Sequence, residues 1–165
     1  MSYSLVHKFT LKNVSSLYRD DWGMRGIQSN EFYSQLNDQL RFYVVVYPNG
    51  YRDEDKGNLS MFLCYSSDVD LKMSVRCNIS IIDGNRNKQY TRGMWSEWRV
   101  TGTNDTPLDD QEVFNPKQPA KGYHKYISVS KLRDKSNGYL DRDTLTLCCE
   151  VSGKCTWIQY WTTLT

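Results

Sequence analysis

Two histidines, His7 and His124, and five cysteines, Cys64, Cys77, Cys148, Cys149 and Cys155, are the side chains best suited to proton transfer, nucleophilic attack or metal binding in this chain. Their spacing supports none of these. The cysteines form an odd set without a CxxC pair, which matches neither a complete disulfide framework nor a zinc site, and they read as reduced thiols buried in a core. Cys148 and Cys149 are adjacent, so a strand points them to opposite faces and makes them a poor vicinal redox pair. No GxSxG, HExxH or phosphate-cradling glycine loop occurs. Asp109-Asp110 and Asp141/Asp143 lie in turn-like contexts, where carboxylates commonly cap or solvate. The expectation is a chain that is not an enzyme and holds neither cofactor nor metal.

Composition narrows the alternatives. At 165 residues a single domain buries roughly 68–70% of the surface its unfolded chain exposes. Aromatic residues make up 13% of the chain, too many for a disordered protein. The formal net charge is +2, with acids and bases interleaved as in KLRDKSNGYLDRD, so no one-signed field favours nucleic acid. No apolar run is long enough to span a bilayer, and MSYSLVHKF lacks the basic-then-apolar order of a signal peptide. The chain is therefore expected in the nucleus or cytoplasm, as a monomer without nucleic-acid or membrane partners. The glycosylation pattern at Asn13, Asn58, Asn78 and Asn104 is discounted for the same reason.

The elements that must position any site are mostly strands. VHKFTLKNV (Val6 to Val14) alternates, with Phe9 and Leu11 facing inward. LRFYVVVY (Leu40 to Tyr47) is nearly continuous in its apolarity, as a central strand is, and stops at Pro48-Asn49-Gly50. Leu59–Tyr65, Met73–Ile82, Gln89–Val100, Tyr123–Val129 and Leu145–Val151 continue the series, the last ending before Ser152-Gly153. Helix is expected only in NEFYSQL (Asn30 to Leu36) and VSKLRD (Val129 to Asp134). Residues 101–120, with three of the four prolines, read as a long surface loop. Strands separated by turns, without alternating helices, argue for an antiparallel sandwich.

Seven segments then carry a resemblance. YVVVYPNG, YRDEDKGN and LSMFL are similar to the strand, charged loop and "LS-x-x-L" of the MATH, or TRAF-like, domain. KFTLKNVSSL, QSNEFYSQLNDQLRFYV, SVRCNISIID and NGYLDRDTLTLCCEV resemble its other strands in the same order, and the substrate-binding domains of speckle-type POZ proteins are the most similar group. The resemblance implies an all-β, eight-stranded antiparallel β-sandwich over residues 1–153, with 154–165 as a tail or additional short strand. It implies a module that grips short linear peptide motifs of target proteins by β-augmentation. It further implies a link to a cullin-RING ubiquitin ligase through a BTB domain, which is not among these residues.

The peptide groove implied by the resemblance takes in Val45, Phe62, Cys77, Lys121, Gly122 and Tyr123, with Trp98 or Phe114 as a further aromatic wall. Val45 stands where the family has arginine, Phe62 where it has tyrosine, and Cys77 where it has phenylalanine. These changes predict a loss of polar anchors and a preference away from hydroxyl-rich motifs. Phe62 and Cys77 also read as ordinary core residues, Lys121-Gly122 as a solvated turn, and Trp95 and Trp98 as either sandwich core or an exposed aromatic shelf. A TRAF-type receptor-tail scaffold and a lectin-like sugar-binding sandwich remain as alternatives.

Overall fold

The computed structural model describes residues 1–34, 37–66, 71–100 and 120–157. These contain nine strands: β1 (Ser2–Leu11), β2 (Ile27–Gln28), β3 (Phe32–Ser34), β4 (Asn37–Tyr47), β5 (Asn58–Tyr65), β6 (Leu71–Ile82), β7 (Lys88–Val100), β8 (Ala120–Ser128) and β9 (Leu145–Trp157). One sheet has the order β1-β9-β6-β7; the other has β2-β4-β5-β8, with β3 also paired to β4. Every pairing is antiparallel. The fold is therefore the expected all-β sandwich, with two short strands, β2 and β3, at one margin.

The core fills the space between the sheets with the alternate residues that strand geometry turns inward. Phe42, Val44 and Val46 of β4 meet Val75, Cys77 and Ile79 of β6 and Leu147, Cys149 and Val151 of β9. Tyr126 has no exposed surface, and its hydroxyl donates to the carbonyls of Ile79 (3.1 Å) and Tyr90 (3.0 Å). Arg92 of β7 donates to the carbonyls of Lys125 (2.7 Å) and Tyr126 (2.9 Å) of β8. These bonds stitch one side of the sandwich together. All five cysteines are buried and free, with the Cys77 and Cys149 sulfurs 3.3 Å apart.

Three local expectations are corrected. NEFYSQL supplies strand β3 instead of a helix: so short a segment cannot offset helix nucleation, and as a strand it buries Phe32 against Phe42 and His7. Residues 35 and 36 lie outside the described residues. Strand β1 begins at Ser2, where Tyr3 is buried and its hydroxyl reaches the Ser74 carbonyl at 2.8 Å. Strand β9 runs through Ser152-Gly153 to Trp157, because pairing with β1 and β6 outweighs the local turn preference. The second expected helix is present as α1 (Val129–Arg133), capped by Ser128, whose hydroxyl accepts from the Lys131 amide. Of the long loop expected at residues 101–120, residues 101–119 lie outside the described residues, and Ala120 instead opens β8.

Candidate peptide-binding site

The near-continuous apolarity of β4 has a physical explanation that an alternating strand lacks: both of its faces are covered. Phe42, Val44 and Val46 face the core, whereas Tyr43 and Val45 join Phe62, Cys64 and Ala120 in a second buried cluster on the outward face of the five-stranded sheet. Tyr47 and Tyr51 pack against its margin. The pairing register makes this cluster a row across three strands, since Val45 lies opposite Phe62 and Phe62 opposite Gly122.

A polar network closes one end of the row. Gly50 takes a φ of 92°, and a Cβ there would meet the Asp55 carbonyl at 2.6 Å, so the Pro48-Asn49-Gly50 turn can fold tightly onto the short 3-10 turn Asp53–Asp55. Asp55 is thereby fully buried within a loop that reads as entirely solvated. His124 Nδ1 donates to its carboxylate at 3.0 Å, and Arg52 Nε donates at 3.2 Å. Burial alone would raise the Asp55 pKa; the hydrogen bonds from Arg52 and His124 outweigh it and hold the carboxyl below the usual range. The Ser60 hydroxyl accepts from the Tyr51 amide at 3.0 Å and donates to the His124 carbonyl at 2.5 Å. The His124 ring then stands 5.1 Å from Phe62 and 5.9 Å from Tyr51. Burial, reinforced by Tyr51, pushes the Tyr47 hydroxyl up to about 12.

Gly122 is where β8 comes closest to β5. A Cβ there would stand 2.0 Å from the Met61 carbonyl oxygen and 2.7 Å from the Phe62 Cα, so no other residue fits without moving one strand. β8 is also the edge of its sheet, and its side away from β5 pairs with no strand among the described residues. Beyond His124 the edge carbonyls of Lys125 and Tyr126 are taken by Arg92. Among the described residues β8 is thus the strand at which this sheet ends, next to the outward apolar row.

Of the residues expected in a groove, Val45, Phe62 and Gly122 come together in this row. Lys121 and Tyr123 alternate to the other face, in register with Leu63 and Met61. There the Tyr123 hydroxyl donates to the Gly93 carbonyl, and Arg92 stacks 4.0 Å above its ring. Cys77 lies in the core of the opposite sheet. Trp98 is in β7 with its backbone opposite Met73, and Phe114 lies outside the described residues. Tyr47, Tyr51, Asp55 and His124 complete the site; none of them was among the groove residues expected from the sequence, where His124 was read only as one of two histidines without a catalytic setting. The signal available for them was the tight Pro-Asn-Gly turn, which returns the chain over its own strand. Among the described residues no group of three or more His, Cys, Asp or Glu is placed to hold a metal.

Two comparisons accord with this architecture. The family model of the MATH domain matches residues 6–151. Among solved structures, TRAF5 from Notothenia coriiceps is similar in fold, with a TM-score of 0.50 at 15% identity over 98% of this chain and 77% of that one.

Proposed function

We propose, because the chain belongs to the MATH domain family of protein-interaction modules that bind peptide motifs of partner proteins, that its ligand is a short extended peptide lying along Ala120–His124. The observation that carries this reading is the row Val45, Phe62 and Gly122, an apolar strip that ends at β8, the last strand of its sheet among the described residues. The edge supplies generic main-chain bonds, and the half-buried rings of Tyr47 and Tyr51, packed on the buried Phe62, supply side-chain selection. With Val45 and Phe62 offering no polar group to a peptide hydroxyl, the preferred motif is more apolar than a serine- and threonine-rich one. Each hydroxyl left without a partner costs roughly 1–3 kcal/mol.

A peptide array followed by calorimetry tests this. Single short peptides should bind at micromolar strength or weaker, about −8 kcal/mol, since a few pockets must offset the ordering of a flexible chain. Phe62→Ala should weaken binding, and tight binding of a hydroxyl-rich motif indifferent to that change would sink the proposal.

At a finer level, we place the chain as a substrate-recognition domain that works with a BTB domain and a cullin-RING ligase. The support is the likeness of LSMFL and NGYLDRDTLTLCCEV to speckle-type proteins. Overexpressed alone, this chain should compete for the target and raise its cellular level. Unchanged levels despite intact binding would remove the ligase role and leave a scaffold of the TRAF type.

A further inference from the structure

The outward face of the four-stranded sheet is a separate surface, with the whole core between it and the site above. Arg76 on β6 and Trp95 on β7 are register partners there. Trp95 is 60% exposed, whereas rings of this size are usually well covered. A shallow depression lies on each side of the pair. One, of about 380 Å³, is lined by Ser74, Ser152 and Lys154; the other, of about 390 Å³, by Asn78 and Met94. Gly153 contributes to the first and Gly93 to the second, so neither position raises a side chain into them.

The charge is one-signed. Among the described residues Arg76 and Lys154 are the only charged side chains lining either depression, and neither has an ion pair there. Glu150, on the same face, is held by Lys88 at 2.6 Å. Glu97 lies opposite Ser74 on β7 but lines neither depression.

We propose that this face docks an extended acidic peptide segment of a partner protein, with an apolar side chain on Trp95 and carboxylates on Arg76 and Lys154. A guanidinium beside a flat ring recognises a planar carboxylate through paired N–H donors. A neutral or basic partner would cover two cations without compensating them. Two recesses flanking one ring suit alternate side chains, roughly 6.6 Å apart on an extended strand, better than they suit a flat lipid surface.

The test is an array of synthetic peptides in which Glu or Asp alternates with Phe, Trp or Leu, beside the same array with Lys in place of the acids. It is probed with the intact chain and with Arg76→Glu, Arg76→Gln, Trp95→Ala and Phe62→Ala variants, each first checked for an unchanged melting curve. Acidic peptides should bind, more weakly at high salt, and lose about tenfold in affinity in Arg76→Glu and Trp95→Ala while keeping it in Phe62→Ala. Equal retention of the Lys peptides overturns the proposal, as does binding undiminished by the Arg76 and Trp95 changes. Losses that follow Phe62→Ala instead assign the peptides to the first site. Capture of phosphatidylserine vesicles without capture of any peptide also overturns it.

Discussion

His124 and Asp55 stand 69 residues apart in the chain, yet the imidazole Nδ1 of one meets the fully buried carboxylate of the other at 3.0 Å. This contact pins the charged loop after β4 to the edge strand β8. It thereby sets the end wall of the outward apolar row, because the same His124 ring packs edge-on against Phe62.

Removing the carboxylate should loosen both. For Asp55→Ala we expect a loss of about 1–3 kcal/mol in unfolding free energy. That is less than a fully buried pair would give, because the His124 and Arg52 side chains remain 29% and 36% exposed. Urea unfolding with an unchanged slope measures it. A midpoint equal to that of the parent would mean that the contact contributes nothing.

Two pH windows should separate. Burial lowers the pKa of His7, so the fold favours its neutral ring, and stability is lost as pH falls from about 6.5 through the folded value. The Asp55 pKa is depressed despite its burial, by Arg52 and His124, so its contribution is complete above about 3.9 and disappears as pH falls through its folded value. Denaturant midpoints taken from neutral to acid pH should therefore decline in two stages. His7→Phe should flatten the first stage and Asp55→Asn the second; a profile that neither variant alters would contradict the assignment.

Gly122→Ala should separate β8 from β5, since the new methyl meets backbone atoms that cannot swing away. The expected cost is about 1–3 kcal/mol, with loss of peptide binding. Gly93→Ala is the control: its Cβ would meet the Asn78 Oδ1 at 2.6 Å, the end of a side chain that can turn aside. Equal melting temperatures for the two variants would refute the close approach at Gly122.

The thiols should be silent in the native state. A hydrogen bond with Cys77, together with burial, pushes the Cys149 thiol well above its ordinary pKa, and burial raises those of Cys64, Cys148 and Cys155. Labelling with an aromatic disulfide reagent at mildly alkaline pH should proceed at the rate of unfolding and accelerate in urea. A cysteine that reacts within seconds in native buffer would show an opening that this packing does not contain.

The sandwich was legible in the chain because strand alternation and turn chemistry are local. Phe9 and Leu11 turned inward on β1, Pro48-Asn49-Gly50 ended β4, and α1 formed within VSKLRD, each within a few residues of the signal that announced it. NEFYSQL misled for the same reason: its local pattern permits a helix, and only pairing with β4 makes it a strand.

The row of Val45 and Phe62 was legible through motif likeness, whereas its end wall was not. An aspartate in RDEDK carries no local mark of burial, and nothing near His124 names its partner. Nor does alternation reveal that Tyr123 faces Met61 while Gly122 faces Phe62, because the choice of face depends on the register of β8 against β5. The sequence by itself determined which residues form strands and which of them are apolar, since both follow from neighbours one or two positions away. Only the tertiary structure decided that a second apolar layer lies outside the sheet, that Asp55 is enclosed, and that Trp95 is left in the open, since each depends on chain segments brought together across long sequence separations.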